Sequence, residues 1–255
     1  MEFVVVCKLV PDLVEDLEIN PEGTDLDRQL TKLVLNEFDE HALEEALLLK
    51  EAYGGRVTVV APDMEGVDDV LYTALAKGAD RAIKVTGLEE GLSSRRLAGA
   101  FADLLSSMGF DLILTGVQAA DDLDGQVGMY LAGFLGLPHV GVVTGVELAP
   151  ERRTARVRKE YAGGVLAEFE VQLPAVLGIQ AARQPPRYAP VSKIRQAMKE
   201  KKIEEVEGKL PSAVGVAVRR MFKPEAASRA QMLEGTPQEV ARQIVAILEE
   251  RGLLR

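Results

Sequence analysis

The sequence predicts an α/β fold: a doubly wound, mostly parallel Rossmann-like sheet with an antiparallel edge extension and an extended C-terminal arm ending in a helix. Three observations carry that prediction. Over the first 145 residues, short β-branched runs alternate with longer segments of helical period. Glycines close the helical segments where the chain must turn back. Near Pro150 the alternation gives way to strand-like runs and then to a long polar tail.

Residues 3–9 read as the first strand, apolar almost throughout, as suits a strand covered on both faces. Residues 12–29 have no sustained period and carry Pro21 and Gly23 among acidic side chains, so they read as a loop. Asn36 stands where it can cap a helix, with Asp39 in the first turn and Ala42, Leu43, Ala46 and Leu47 on one face. Gly54 and Gly55 end that helix, and residues 57–60 form the second strand. Val67, Val70, Leu71, Ala74 and Leu75 mark the next helix, closed by Gly78 before a third strand at 81–85. Ser93 or Ser94 caps a helix with Leu97, Phe101, Leu104 and Leu105 inward, ended by Gly109, and residues 111–115 return as a strand. A loop over 116–125 then enters a helix at about 126–135 that Gly136 terminates. Repeated units of this kind build one sheet with right-handed crossovers.

Beyond Pro150, residues 157–161, 165–173 and 175–179, punctuated by Gly163, Gly164 and Pro174, look like a hairpin plus one more strand in an antiparallel edge extension. Gln184, Pro185, Pro186 and Arg187 then break regular structure. A basic stretch over 193–202 is followed by low hydrophobicity to about Thr236. Thr236, Pro237 and Glu239 supply the N-cap, N1 proline and capping-box glutamate of a last helix, with Val240, Ile244, Ile247 and Leu248 on one face and Gly252 at its end. Such a helix needs a surface for its apolar face, so the tail is expected to wrap a partner or fold back.

Composition excludes several classes of function. The 255 residues hold one cysteine, two histidines and no tryptophan. One cysteine rules out an internal disulfide, and Cys7, next to Phe3, Val4, Val5 and Val6, reads as a small buried hydrophobe. His41 and His139 lie far apart with no second ligand at metal spacing, which argues against zinc. A net charge of −10 argues against general nucleic-acid binding. The longest apolar runs are strand-length, so no membrane insertion, signal peptide or transit peptide is expected, and the reading is a cytoplasmic protein.

The segment richest in chemistry is the loop between the fourth strand and its helix, with Thr115, Gly116, Val117, Gln118, Ala119, Asp121, Asp122, Asp124, Gly125, Gln126, Val127 and Gly128. In an open parallel sheet ligands bind beyond the strand C-termini, and a Gly-bearing loop entering a helix offers free N–H groups to a phosphate. Its three aspartates repel a phosphate on their own, so they cap the helix, bind ribose hydroxyls, hold a metal or simply solvate a surface loop. Asn36, Glu37, Phe38 and Asp39 can line the same crevice rim, or serve only as a helix cap and first turn. His41 reads as a helix-surface residue, and His139 has no visible partner. Walker A, GxGxxG and Ser-Gly-Gly loops are all missing, which favours holding a nucleotide or cofactor over hydrolysing it. The basic stretch holds five positive charges against one negative and follows Tyr188, Ala189, Pro190 and Val191. It is either a solvated charged helix or an apolar knob beside a positive face, recognised by a protein with an acidic docking surface.

These residues resemble the β subunit of electron transfer flavoproteins over essentially the whole chain. The matching stretches are Lys8 with Pro11 and Asp12; Asn36, Glu37, Phe38, Asp39 and Glu40 leading into Glu44, Glu45 and Ala46; residues 73–81; Gly116 with Gln118, Ala119, Asp121 and Asp122; Gln126 with Gly128; residues 173–176; and Pro186, Arg187, Tyr188 and Ala189. The resemblance implies an adenine-nucleotide α-hydrolase-like sheet and a heterodimer whose α subunit holds most of a redox-active FAD. In the family a residue after the first strand, often aromatic, lies near that FAD; Leu13 stands there. The family's AMP site corresponds to Val6, Asn36, Glu37, Phe38, Asp39, Pro62, Gly116, Val117, Gln118, Asp121, Asp122, Gly125, Gln126 and Val127. Residues Tyr188, Val191, Ile194, Arg195 and Lys199 correspond to the loop and helix that dock acyl-CoA dehydrogenase-type flavoenzymes, with Val191 as anchor.

On this resemblance, residues 1–186 are expected to form the nucleotide-binding domain, 187–205 the partner-recognition loop and helix, and 206–255 an arm wrapping the α subunit. The expected function is electron transfer, without bond-making catalysis, from a dehydrogenase through the α-bound FAD to a quinone oxidoreductase in fatty acid oxidation, with AMP as structural ligand. Gly125, Gln126, Val127 and Gly128 stand where AMP-binding relatives carry Asn-Gln-Thr-Gly, so a second FAD in the β site, as in the flavin-bifurcating branch, is the alternative. A stand-alone ATP-binding regulatory protein of similar topology is the other.

Overall fold

The computed structural model describes residues 1–89, 91–122, 126–210, 217–224 and 232–254, in two compact units, Met1–Arg219 and Arg220–Arg255. Strand β1 (Glu2–Val6) sends Phe3 and Val5 to one face of the sheet and Val4 and Val6 to the other, and both faces are covered. The strand stops short of the expected Leu9. After Cys7, whose N–H still reaches Val60 O at 2.9 Å, the chain leaves the sheet. It forms β2 (Leu9–Pro11), paired antiparallel with β3 (Leu33–Leu35) across the long excursion between them.

Helix α1 (Glu37–Tyr53) buries Ala42, Leu43, Ala46, Leu47 and Leu49 and ends at Gly54. Then follow β4 (Arg56–Pro62), α2 (Val67–Lys77), β5 (Arg81–Thr86) and α3 (Ser94–Ser106). Ser93 caps α3, and the helix ends at Ser106 rather than running on to Gly109. Next come β6 (Leu112–Gly116), α4 (Val127–Leu135), β7 (His139–Leu148), β8 (Thr154–Tyr161), β9 (Val165–Gln172), β10 (Ala175–Ile179), α5 (Val191–Glu200) and β11 (Glu204–Glu207).

Among the described residues nine strands form one sheet in the order β11-β5-β4-β1-β6-β10-β7-β8-β9. All neighbours are parallel except β7 with β8 and β8 with β9, so the antiparallel edge extension is present. The strand expected beside the hairpin, β10, lies instead inside the sheet, parallel to both β6 and β7. Its five residues are all buried, as an inner strand requires. The polar stretch after α5 also supplies a strand: β11 pairs parallel with β5, and charged side chains suit an edge.

The chain runs outward from β1 through β4 to β5, then crosses to β6 on the other side of β1. That reversal puts a topological switch point between the C-terminal ends of β1 and β6, where a crevice must open. Helices α1, α2 and α5 cover one face of the sheet, and α3 and α4 cover the other. In the second unit, α6 (Pro237–Glu250) has its full capping box: Glu239 N–H reaches Thr236 Oγ1 at 3.4 Å and Thr236 N–H reaches Glu239 Oε2 at 2.7 Å. No residue of α6 is buried. Among the described residues no helix is long and apolar enough to cross a membrane.

Candidate functional site

The crevice at the switch point is lined by Val6, Cys7 and Lys8 after β1, by Asn36 and Asp39 at the start of α1, by Thr115 to Ala119 after β6, and by Leu97, Phe101, Asp122 and Val127. Two sequence-distant helix starts and two strand ends therefore meet at one place. Asn36 occupies the N-cap position of α1 but makes no capping bond. Its Nδ2 donates instead to Gln118 O at 2.9 Å. Asp39 accepts from Lys8 N–H at 3.0 Å and from Gly116 N–H at 2.8 Å, so one buried carboxylate ties both strand ends to α1. Burial pushes that carboxyl up to about 7, against the pull of those two N–H groups and the Lys8 charge.

Two of the loop aspartates, Asp121 and Asp122, act on Lys8, which the sequence marked only as part of the family match. Lys8 Nζ bridges Asp121, at 2.7 Å, and Asp122, and Ser94 Oγ donates to the same Asp122 carboxylate at 3.0 Å. Burial alone draws the ammonium pKa down, but the two carboxylates outweigh it and hold Lys8 above its ordinary value. Neither aspartate caps α4: the N-cap is Gln126, with no side-chain bond. Leu123, Asp124 and Gly125 lie outside the described residues. With Lys8 in place the crevice keeps a free volume of only about 20 Å³.

A second cavity of about 520 Å³ adjoins it, sharing Thr115, Gly116 and Val117 and continuing past Gln126 and Gly128 to His139, Lys159, Tyr161 and Phe169. At the boundary the Thr115 hydroxyl is fully buried without a hydrogen-bond partner among the described residues. It lies 2.6 Å from where a Cβ on Gly128 would stand, so only glycine lets the first turn of α4 come this close. Val142, a β-branched residue at φ 60°, lines this cavity. His139 is half-buried here, its pKa lowered by burial and by the Lys159 charge. Cys7 is buried, and burial raises its thiol pKa well above the usual range, in keeping with a packing role.

The other expected site residues are spread around this centre. Glu37 is exposed and Phe38 half-buried on the first turn of α1, and Pro62 is buried at the end of β4. None of the three lines the crevice itself. Leu13 and Val14 are 68% and 94% exposed after β2. Tyr188 and Val191 are 81% and 56% exposed, Arg195 and Lys199 are exposed beside them, and Ile194 is half-buried. The reading missed a cluster of buried acids on α1: Glu44 and Glu45 are 3% and 0% exposed and pair with Arg187 and Arg183. Two charges interrupting the apolar run of a core helix were the available signal.

The chain was also compared with known proteins. The family model described as "Electron transfer flavoprotein domain" matches residues 25–211. A protein of Methylophilus methylotrophus named electron transfer flavoprotein subunit beta is 37% identical over 98% of this chain and 98% of its own. The proteins of that name from Homo sapiens and Bacillus subtilis are 32% and 30% identical, over 99% and 86% of this chain and 98% and 87% of theirs.

Proposed function

The chain belongs to the family of electron transfer flavoprotein β subunits, and on that premise we propose that it pairs with an α subunit and holds AMP at the crevice as a structural ligand. In this reading the cytoplasmic complex carries electrons from acyl-CoA dehydrogenase-type flavoenzymes to a quinone oxidoreductase. FAD, held mainly by the α subunit, supplies the one- and two-electron chemistry when bound. The β chain needs no acid, base or nucleophile of its own; its residues bind, orient and exclude water.

The observation that carries the nucleotide reading is the Thr115 hydroxyl, buried against the start of α4 and unpartnered among the described residues. Leaving such a group unsatisfied costs about 1–3 kcal/mol, which a ligand oxygen relieves. The first N–H groups of α4, at Val127 and Gly128, have no acceptor within their own helix and suit a phosphate beside that hydroxyl. Asn36, Gln118, Asp121 and Asp122 offer polar groups for ribose and base, and Val6, Val117 and Phe101 offer apolar walls. The adjoining cavity supplies the room that the crevice beside Lys8 does not. Leu13 would form part of the wall near the α-held flavin. Residues 187–205 would dock the donor enzyme, and 206–255 would reach along the α subunit.

One observation favours a second reading. The adjoining cavity runs well past the start of α4, toward Tyr161 and Phe169, and offers aromatic walls to a larger ligand such as a second FAD. Denaturing the purified heterodimer and identifying what is released separates the two. One FAD and one AMP per pair is the expected result. Two FAD per pair would replace AMP by the flavin-bifurcating arrangement, and ATP released from a chain that is stable without any α subunit would sink both.

A further inference from the structure

Helix α1 holds more than the crevice. After its first turn, which ties down Lys8 and Gly116, the same helix grips the segment that precedes the exposed docking residues. His41 Nδ1 accepts from Ala182 N–H at 3.2 Å. Glu45 Oε2 accepts from Arg183 N–H at 3.0 Å, and its Oε1 accepts from Arg183 Nε at 2.9 Å and from Val146 N–H at 3.2 Å. Glu44 accepts from Arg187 N–H at 2.9 Å and takes its guanidinium at 3.0 Å and 2.8 Å, while Arg187 also reaches Glu51.

Bonds to the main-chain N–H groups of residues 182, 183 and 187 matter most, because they fix the backbone rather than the tip of a flexible side chain. Tyr188 follows at once, and Val191 opens α5 three residues later. Downstream the segment is held again: Ala197 is buried in the core cluster that contains α2, and Lys201 Nζ donates to Ala79 O at 2.8 Å. The exposed aromatic and aliphatic side chains thus stand between two anchors.

We propose that Glu44 and Glu45 are positioning residues of the docking segment: by gripping Arg187 and Arg183 they set where Tyr188 and Val191 stand relative to the crevice. This rests on the docking reading above. Stability alone is a poor reason for burying two carboxylates, since apolar residues of similar volume often serve as well or better than a buried ion pair. What the pairs add is a fixed place. A segment already ordered before its partner arrives spends less conformational entropy on docking, which tightens association without changing the electron-transfer step.

The test uses the intact flavin-loaded heterodimer and a reduced acyl-CoA dehydrogenase as donor. Glu44→Gln, which weakens both the main-chain bond to residue 187 and the pair with its guanidinium, is expected to raise the half-saturating donor concentration about ten-fold, with the limiting rate and the flavin spectrum unchanged, the loss corresponding to a few immobilised side chains. Amide hydrogen exchange over residues 188–192 should quicken in the same variant. Glu45→Gln, which loosens the hold on residue 183 in the same way, should act in the same direction, and it stands in if Glu44→Gln does not fold. Val191→Asp is the control for the docking reading. If Val191→Asp weakens association and neither glutamate variant does, the positioning role is overturned and the docking reading survives. If all three leave half-saturation unchanged, the docking reading falls and the positioning role falls with it.

Discussion

Gly116 leaves no room for a methyl group: a Cβ there would stand 2.5 Å from Asp39 Oδ1 and 2.8 Å from Phe38 Cβ. The start of α1 therefore sits directly on the end of β6, and the Asp39 carboxylate is sealed between them. Its ordinary value is 3.8, and burial carries it to about 7 in the folded chain. Between those values the folded state binds more protons than the unfolded state. Asp39 therefore makes stability fall as pH rises from about 4 to about 7 and level off above that. Asp39→Asn should flatten this component, and because one amide NH₂ must face a backbone N–H it should also lower stability by about 1–3 kcal/mol. Urea midpoints across that pH range decide it; an undiminished slope in the variant would show that another group titrates. At this scale the sequence left two readings open. Asn36 and Asp39 suited either a cap and first-turn acid or the crevice rim, and both spend their polar atoms on segments distant in the chain, Gln118 and Gly116. Cap chemistry and crevice chemistry use the same residue types, so only the tertiary neighbours tell them apart.

Among the elements, α1 and α5 carry the functional argument. Alternation and helical period made α1 to α4, α6 and the strands β4, β5 and β6 legible, because a parallel sheet covered on both faces imposes both periods on the text, whereas β7 went unread. The position of β10 was not legible. A five-residue apolar run suits an edge or a centre equally, and its insertion between β6 and β7 depends on the whole crossover path. Strand β11 was hidden for the opposite reason: its glutamates look like loop, and the pairing rests on Arg81 with Glu204 and Lys84 with Glu205 across the edge. Helix α5 presents Arg195 and Lys199 to solvent beside Val191. If it meets an acidic face, electron delivery from the donor should slow as ionic strength rises. Lys199→Glu should slow delivery at low salt several-fold and leave a shallower salt dependence, read by stopped-flow reduction of the heterodimer. An identical salt profile in that variant would take Lys199 out of the docking surface.

At the scale of the molecule, the buried core among the described residues lies within the first unit, and α6 in the second buries none of its residues. Deleting residues 220–255 should leave the rest unfolding cooperatively near the parent temperature while association with the α subunit weakens, measured by calorimetry and by co-purification. A large loss of melting temperature would mean that the arm completes the core. The uneven charge is also a property of the whole: the net −10 becomes −14 once the +4 of residues 193–202 is set aside, although residues 152–159, with five positive charges and no negative one, form a second basic stretch. By itself the sequence determined the α/β class, the helices α1 to α3 with the strands β4, β5 and β6, and the family, because periodicity, caps and motif order are local and survive being read one residue at a time. The tertiary structure alone decided that Lys8 bridges Asp121 and Asp122, that Thr115 is left without a partner among the described residues, and that Glu44 and Glu45 hold the segment that leads into α5. Those facts depend on which strand ends meet at the switch point and on what burial does to a charge. Both arise from contacts between residues far apart in the chain, and no local pattern records them.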